Sequence, residues 1–334
     1  MIYRAAFILP GAEDPIRDGA LRVSGGRVEE VAPVASLSAH HPQEEVVDLG
    51  QAVIMPGLVN AHCHLGLTEL RPAARDFIPW LEEVVQELRT WQRERFERSV
   101  GAGLALSLAS GTTSLGDISS RCSSAGALRG AGLRGVAFRE VLGLAPEREE
   151  EALASVMAEM EGGRQPGPRL RLGISPHAPF STSGELYRRS LALALRFSLP
   201  LATHVAESEE EVELLTRGKG PLVELLRRLG SPVECFNAPG LRPLEWLKEL
   251  GLLQYPSLLV HANYLSVGEL GLIANSPASI CFCPRSHAFF GRKGHPWQEL
   301  LAAGVNLCLG TDSLASNGGL GILDELRFLR EEAP

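Results

Sequence analysis

Eight short apolar runs alternate with longer helical segments from residue 53 onward. The runs cover residues 53–64, 112–118, 133–143, 169–179, 199–208, 257–265, 279–286 and 305–313. Between them, apolar residues recur three and four positions apart, which is the period of an amphipathic helix. A strand followed by a helix, repeated eight times, is typical of the closed (β/α)8 TIM barrel. An open doubly wound sheet is less compatible, because no GxGxxG turn follows the first run. We therefore predict an α/β fold with a barrel domain over residues 53–334.

The sequence before residue 53 has a different pattern. Segments such as IYRAAFIL, ALRVSGGRVEEVAP and EEVVDLGQAVI are short and are broken by Gly, Pro and Asp. Such segments are typical of strands and turns. We predict a small β domain over residues 1–52 that has no helix of its own and forms part of a β-sandwich.

The charge of the chain argues against two classes of partner. The 334 residues include 32 Lys and Arg against 40 Asp and Glu, for a formal net charge of −8. This acidic balance repels nucleic acid and anionic membrane surfaces. No apolar stretch approaches the ~18 to 20 residues of a membrane span. The six cysteines are dispersed without a CxxC pair, so neither a disulfide framework nor a cysteine zinc ribbon is predicted. We expect a cytoplasmic protein that acts on a small molecule.

Histidines lie where barrel enzymes carry out their chemistry. Five of the nine histidines are at or just beyond the carboxyl end of a predicted strand, namely His62, His64, His177, His204 and His261. That end of the barrel holds the active site in characterised barrel enzymes. His62 and His64 are two residues apart on a strand, so both imidazoles project from one face. A lone histidine at a strand end is more often structural than a ligand, but the joint pattern favours a metal site.

Closure of the barrel would bring these histidines close to Asp312, which lies at the end of the eighth run. Three histidines and one aspartate form a nitrogen and oxygen ligand set suited to Zn²⁺ or Fe²⁺, with one position left for water. Glu207 follows His204 closely enough to lie at the same mouth, where it could take a proton from the water. The alternative for Glu207 is a solvated helix start, because the acidic run SEEE follows at once. The alternative for His261 is a core histidine.

Six motifs in sequence order resemble those of the amidohydrolase superfamily. They are PGLVNAHCH, SPHAPFS, THVAESEEE, VHAN, CPRS and GTDSLASN. The likeness extends from about residue 45 to 331. It is greatest to the branch that contains triazine hydrolases, guanine deaminase, and the methylthioadenosine, S-adenosylhomocysteine and aminodeoxyfutalosine deaminases. The resemblance implies a TIM barrel that uses a divalent metal ion to activate water.

The resemblance also implies roles for individual residues. The residues that match the metal ligands are His62, His64, His204 and Asp312, the last of which also acts in catalysis. Glu207 matches the acid/base glutamate that follows the fifth strand. His261 matches the histidine that orients water or substrate, and His177 matches a histidine that contacts substrate.

The fourth strand predicts how many ions are bound. Relatives with two metals bridge them by a carboxylated lysine at the end of this strand, whereas RLRLGISPHAP contains no lysine. We therefore predict one divalent ion, with zinc favoured over iron. The cytidine-deaminase signature, HxE with PCxxC, is also absent.

The predicted activity is hydrolytic deamination of an amino-substituted nitrogen heterocycle. This reaction needs a hydroxide near neutral pH, and a bound divalent ion supplies it by lowering the pKa of its water. The resemblance favours an adenine nucleoside of the aminodeoxyfutalosine, methylthioadenosine or S-adenosylhomocysteine kind. The alternatives are a guanine deaminase, a triazine-type chlorohydrolase or amidohydrolase, and an inactive metal-binding barrel. Gly66 stands two residues after the second metal histidine, where such nucleoside deaminases often carry a glutamate.

Six further residues are candidates for substrate contacts. They are Glu69, Arg139, Glu140, Arg285, Ser286 and Ser313. Each could equally belong to a surface or barrel-closing ion pair. His287 replaces an asparagine that is usual in the family's strand-seven loop, and is either a substrate contact or a loop histidine. We interpret His40, His41 and His295 as surface residues.

The end of the sequence affects the small β domain. Relatives continue past the LDELR helix with strands that complete a small β-sandwich, whereas this sequence ends at Pro334. The C-terminal half of the sandwich would then be missing, and a sheet edge would be open. We predict lower stability, or a homodimer that covers the edge.

Overall fold

The computed structural model describes residues 1–119, 123–161 and 167–332. The chain divides into two compact units, Met1–Leu58 and Val59–Pro334. Cys122 lies outside the described residues, and the other five cysteines are free thiols. In the described part of the chain, no helix is both long and apolar enough to cross a lipid bilayer.

The first unit is a five-stranded sheet with one helix. Its strands are β1 (Ile2–Ile8), β2 (Ile16–Ser24), β3 (Arg27–Pro33), β4 (Val46–Asp48) and β5 (Val53–Ile54), and its helix is α1 (Val34–His40). The strands β1, β2 and β3 form an antiparallel meander. The short strands β4 and β5 both pair with β1 in parallel.

Two features of this unit differ from the sequence predictions. The prediction of no helix is wrong, because VASLSAH forms α1. Leu37 of this helix is fully buried against Ile2 and Ala20 of the sheet, and a segment of two turns is too short for its period to be recognised. In addition, the run predicted over residues 53–64 divides, because Val53 and Ile54 pair with β1 in the small sheet. The first barrel strand begins only at Leu58.

The second unit contains an eight-stranded barrel. The strands are β6 (Leu58–Cys63), β7 (Thr112–Ser119), β8 (Arg134–Val141), β9 (Leu170–Pro176), β10 (Leu201–Val205), β11 (Ser257–His261), β12 (Ser279–Phe282) and β13 (Leu307–Leu309). Each strand neighbours the next one along the chain, and the strands from β7 to β13 pair in parallel. A parallel bridge between Cys63 and Asp312 joins the first strand to the end of the last. The predicted (β/α)8 barrel is confirmed.

Helices surround these strands. They are α2 (Phe77–Thr90), α3 (Arg93–Ala109), α4 (Ala125–Gly130), α5 (Pro146–Glu161), α6 (Gly184–Phe197), α7 (Glu209–Arg217), α8 (Pro221–Arg228), α9 (Pro243–Glu249), α10 (Val267–Ala274), α11 (Pro284–Phe289), α12 (Trp297–Ala302) and α13 (Ile322–Glu332). The motif CPRS, predicted within the seventh run, instead starts α11, because Pro284 occupies the first helical turn.

The barrel strands are buried on both faces, as in other parallel sheets covered by helices. All five residues of β10 are buried. On the outer face, Leu201 and Leu259 belong to the same core cluster as Tyr187 of α6 and Leu247 of α9. The histidines of the predicted metal site lie at or just beyond the carboxyl ends of these buried strands.

Candidate metal centre and active site

The four predicted metal ligands meet at the carboxyl end of the barrel. Nε2 of His64 lies 3.2 Å from Nε2 of His204. Oδ1 of Asp312 lies 3.5 Å from Nε2 of His62 and 3.7 Å from Nε2 of His64. The ligand atoms of His62, His64 and His204 all lie within 4.8 Å of one another. These groups come from β6, from the residue that follows it, from β10 and from the loop after β13.

The burial of His62 fits a divalent ion. Both ring nitrogens of His62 are buried, and neither has a hydrogen-bond partner among the described residues. Buried polar atoms are rarely left in this state, and each one needs an explanation. A cation between the ring nitrogens and Oδ1 of Asp312 would satisfy them, since imidazole and carboxylate are ordinary ligands of zinc. The residues present therefore fit the ion that the sequence pattern predicts.

Hydrogen bonds to backbone oxygens orient the imidazole rings of His64 and His204. Nδ1 of His64 lies 3.0 Å from the backbone oxygen of Ile118, and Nδ1 of His204 lies 2.9 Å from that of His177. A carbonyl oxygen can only accept, so both Nδ1 atoms donate and each Nε2 keeps a lone pair for a metal.

Charge and burial affect the protonation of Asp312 and His204. Although burial acts in the opposite direction, the neighbouring imidazoles hold the pKa of Asp312 well below its usual range. Burial lowers the pKa of His204 well below its ordinary value. At neutral pH the site therefore presents the carboxylate of Asp312 and the neutral imidazole of His204, which are the forms that bind metal ions.

Glu207 lies beside this centre, just beyond the end of β10. Its Oε2 is 3.8 Å from Nε2 of His261, and its Oε1 is 3.7 Å from Nη1 of Arg292. Burial raises the pKa of Glu207 to about 7, while the charge of Arg292 opposes the rise. A carboxyl group with a pKa near neutrality can both take up and release a proton at physiological pH. Arg292 has no counterpart in the sequence predictions, because nothing local distinguishes it from a surface arginine.

Two further residues hold the backbone of Glu207. The buried carboxyl group of Glu211 accepts the N–H groups of Ala206 and Glu207, both at 2.9 Å. The side-chain amide of Asn263 donates to the backbone oxygen of Glu207 at 3.0 Å. Ala206 adopts a left-handed conformation with φ of 48°, which these bonds help to maintain. Neither Glu211 nor Asn263 is predicted to have a role from the sequence, although both belong to the motifs THVAESEEE and VHAN.

Two histidines have structural roles near the site. The prediction that His295 lies at the surface is wrong, because its ring is stacked on Phe282 at a centroid distance of 3.7 Å. Its Nε2 donates to the backbone oxygen of His261 at 2.9 Å. His287 is buried with Nδ1 3.0 Å from Oδ1 of Asn263. His295 lies in the glycine-rich loop 290–296, which has no periodic pattern, so the burial of this histidine cannot be inferred from the sequence.

The remaining two histidines belong to the small sheet unit. His40 is exposed, as predicted for a surface residue, whereas His41 is partly buried beside Glu30. The site itself therefore involves histidines of the barrel unit.

A cavity of about 720 Å³ opens over the metal centre. The predicted site residues that line it are His64, Arg139, Glu140, His177, His204, Glu207, His261, Asp312 and Ser313. One wall is apolar and comes from α2, with Phe77, Trp80 and Leu81. A cavity of this size and mixed polarity is suited to an organic ligand of moderate size.

His177 and Glu140 form a polar pair within the cavity. Nε2 of His177 lies 3.9 Å from Oε1 of Glu140, and its Nδ1 lies 2.6 Å from the hydroxyl of Ser181. Burial lowers the pKa of His177 to about 4 and raises that of Glu140. A neutral imidazole and a carboxyl group are therefore available to hydrogen-bond a ligand.

Three of the predicted substrate contacts are not among the described residues that line the cavity. Glu69 is at ion-pair distance from Arg95 and Arg98. Arg285 lies 3.8 Å from the buried carboxylate of Glu325. The hydroxyl of Ser286 donates to Oδ2 of Asp312 at 2.8 Å, so this residue orients one of the predicted metal ligands.

Comparisons with known proteins identify the family of this chain. The sequence profile of the Amidohydrolase family matches residues 53–333, and the chain belongs to this family. A 5-methylthioadenosine/S-adenosylhomocysteine deaminase of Nitratidesulfovibrio vulgaris is 31% identical over 318 residues, which cover 93% of this chain and 68% of the relative. An aminodeoxyfutalosine deaminase of Deinococcus radiodurans is 32% identical over 335 residues, which cover 97% of this chain and 78% of the relative. The family resemblance predicted from the motifs is confirmed.

A solved structure matches the fold over nearly the whole chain. Helicobacter pylori aminofutalosine deaminase, in complex with methylthio-coformycin, superposes with a TM-score of 0.86 at 23% identity, covering 98% of this chain and 80% of that one. At this level of identity the match concerns the fold.

Proposed function

We propose that the protein is a metal-dependent hydrolytic deaminase of an adenine nucleoside. The observation that carries the proposal is a cluster at the base of the cavity. The ligand atoms of His62, His64 and His204 lie within 4.8 Å of one another, Oδ1 of Asp312 is 3.5 Å from His62, and Glu207 and His261 lie beside them. Deamination at a ring carbon needs an activated water and a group that moves its protons. This arrangement offers both within a few ångströms.

His62, His64, His204 and Asp312 would hold a single divalent ion. Three imidazole nitrogens and one carboxylate oxygen suit zinc, with iron as the second candidate. When bound, such an ion lowers the pKa of a coordinated water to about 7 and so makes it a nucleophile at neutral pH. One ion is favoured over two because β9 ends at Pro176 without a lysine that could bridge a pair.

Glu207 carries the protons. Its carboxylate takes a proton from the attacking water and passes it to a ring nitrogen of the substrate, which makes the ring carbon a better electrophile. His261, at 3.8 Å from Glu207, orients the water and the reacting ring. His177, Glu140, Arg139 and Ser313 line the cavity and are the candidates for holding the rest of the substrate.

The relatives favour an adenine nucleoside over the other substrates. The two relatives described above are named as a deaminase of 5-methylthioadenosine and S-adenosylhomocysteine and a deaminase of aminodeoxyfutalosine. The apolar wall of Phe77, Trp80 and Leu81 would pack against a heterocycle or an apolar substituent. Guanine deamination and triazine hydrolysis would use the same ion, so they remain outcomes of the test.

Ammonia release from the zinc-loaded protein tests the proposal. Metal content is measured first, and the protein is then assayed with 5′-modified adenosines, guanine and a chlorinated triazine. We expect ammonia from at least one adenosine and a fall of about 10²- to 10⁴-fold in Glu207→Gln. Glu209→Gln, at an exposed neighbouring carboxylate, is the matched control and should retain activity.

Other outcomes contradict the proposal in different ways. Release of chloride alone would assign triazine hydrolysis, and ammonia from guanine alone would assign guanine deamination. No turnover of any compound at full metal loading would identify an inactive metal-binding barrel.

We also propose that the protein acts in the cytoplasm, without nucleic acid or membrane partners, and forms a homodimer. Free thiols at the five described cysteines are typical of a reducing compartment.

Val46 of β4 and Val53 of β5 are 42% and 52% exposed, which leaves apolar side chains near an open sheet edge. Mass measurement by light scattering tests the dimer, and a stable, monodisperse monomer would contradict it.

A further inference from the structure

Arg292 is a buried cation next to the catalytic carboxylate. It lies between α11 and α12, and its side chain is 5% exposed. Its Cζ lies 4.4 Å from the ring centroid of Phe290 and 5.1 Å from that of Phe77. Nη2 is buried and has no hydrogen-bond partner among the described residues. Burying a guanidinium is costly unless it is paired, and the carboxylate within ion-pair distance is that of Glu207.

The two oxygens of Glu207 face different partners. Oε1 faces Nη1 of Arg292 at 3.7 Å, whereas Oε2 faces Nε2 of His261 at 3.8 Å. A guanidinium donates hydrogen bonds only and is not deprotonated in proteins. Oε1 therefore lies at ion-pair distance from a group that stays charged. An imidazole can be donor or acceptor, so Oε2 is the oxygen whose proton can change.

We propose that Arg292 is the positioning residue of Glu207, holding Oε1 so that Oε2 moves the proton between water and substrate. The inference rests on the proposed function, in which Glu207 transfers that proton. In the first step an O–H bond of the water breaks and an O–H bond forms at Oε2. In the second, the O–H bond at Oε2 breaks and an N–H bond forms at the substrate ring nitrogen. Glu207 returns to the carboxylate, and Arg292 stays protonated throughout.

Two observations agree with this role. Burial raises the pKa of Glu207, and the charge of Arg292 acts against the rise, which favours a carboxylate in the resting site. Phe77, which contacts the guanidinium, also lines the cavity at the start of α2. Arg292 therefore connects a wall of the substrate cavity to the group that moves the proton.

A double-mutant cycle tests the role in the zinc-loaded enzyme. With the adenosine that the wild type deaminates, Arg292→Met should lower kcat by about tenfold to a hundredfold, with KM within about twofold. Arg292→Lys should recover part of the loss, since it restores a cation. In a Glu207→Gln background, Arg292→Met should cause no further fall in kcat, because the group it positions is already gone. Equal losses in both backgrounds would overturn the proposal.

Arg75 provides a matched control. Its guanidinium also lies over an aromatic ring, with Cζ 4.2 Å from the centroid of Phe289, but on an exposed side chain. Arg75→Met should leave kcat and KM unchanged. A similar loss in Arg75→Met would mean that the aromatic contact, rather than the carboxylate, explains the effect, and would overturn the proposal.

Crystal structures provide a readout that does not depend on turnover. In Arg292→Met, or in Arg292→Gln if the methionine variant does not fold, the carboxylate of Glu207 should leave its position facing His261. An unchanged Glu207 rotamer would overturn the positioning role. Absence of deamination by the wild type would instead reject the proposed function, while the comparison of rotamers still decides the inference.

Discussion

The hydroxyl of Ser316 lies 2.6 Å from Oδ2 of Asp312 and donates a hydrogen bond to it. Ser286 donates to the same oxygen at 2.8 Å. These two hydroxyls occupy Oδ2, which leaves Oδ1 to face His62 and His64. The carboxylate is therefore oriented by the protein itself, and this orientation is the basis of the first prediction.

Ser316→Ala should weaken zinc binding. Loss of a hydrogen bond behind a metal ligand typically lowers metal affinity by about 10- to 100-fold. Competition with a chromophoric chelator measures the dissociation constant. Ser276→Ala is the control, because its hydroxyl bonds the backbone of the turn after α10, donating to the oxygen of Ile273 and accepting the N–H of Ala278. Equal zinc affinity of Ser316→Ala and wild type would contradict this account of the site.

Removal of the metal should lower the unfolding temperature. An ion that binds the folded protein alone stabilises it by about 4 kcal/mol when its concentration is a thousand times its dissociation constant. Thermal unfolding with zinc and with excess chelator measures the difference. In His62→Ala, which removes a buried ligand, the two unfolding temperatures should nearly coincide. A wild type insensitive to the chelator would argue against a metal at these residues.

Glu211→Gln should impair both stability and activity. The carboxyl group of Glu211 accepts two backbone N–H groups, from Ala206 and Glu207. A glutamine can accept only one of them and directs an N–H toward the other, which costs about 1–3 kcal/mol of unfolding free energy. Because the displaced backbone carries Glu207, kcat should also fall. Glu213→Gln, on the same helix, should change neither quantity. Urea denaturation and steady-state kinetics provide the measurements.

His295 should make the metal-free protein sensitive to acid. Burial lowers the pKa of His295 to about 3, whereas an unfolded histidine has a pKa of about 6.5. Below pH 6.5 the unfolded chain binds a proton that the folded chain does not, so stability falls as the pH falls toward 3. At pH 5 this group alone destabilises the fold by at most about 2 kcal/mol.

His295→Gln tests this linkage. Glutamine keeps a donor for the backbone oxygen of His261 and does not titrate, so the loss of stability between pH 7 and pH 5 should be smaller than in the wild type. Urea denaturation at both pH values, with chelator present, measures the loss. His40→Gln, at an exposed position, should behave as the wild type does. An identical pH dependence for His295→Gln would show that His295 does not couple folding to protons.

Much of the fold and the metal site could be predicted because their signals are local. The alternation of short apolar runs and helical periods follows directly from residue order. His62 and His64 share a face because neighbours two apart on a strand must do so. The confirmed barrel places both where parallel strands end. The missing lysine of the fourth strand is equally a local observation.

Other residues could not be found in this way. The short helix α1 formed because Leu37 packs against Ile2 and Ala20, a choice made by the sheet. Glu211 looked like one more acid in a solvated run, and its burial depends on the turn after β10. His295 and Arg292 sit in a glycine-rich loop whose path no periodicity describes.

The sequence by itself determined which residues end each strand and which chemical groups they carry, because strand period and residue type are properties of neighbours along the chain. Tertiary structure alone decided which groups meet: that Oδ1 of Asp312 faces His62, that Ser316 turns it there, and that Arg292 lies against Glu207. The reason is that closure of the barrel and the packing of its loops bring together side chains that are distant in sequence, and burial then sets their charge.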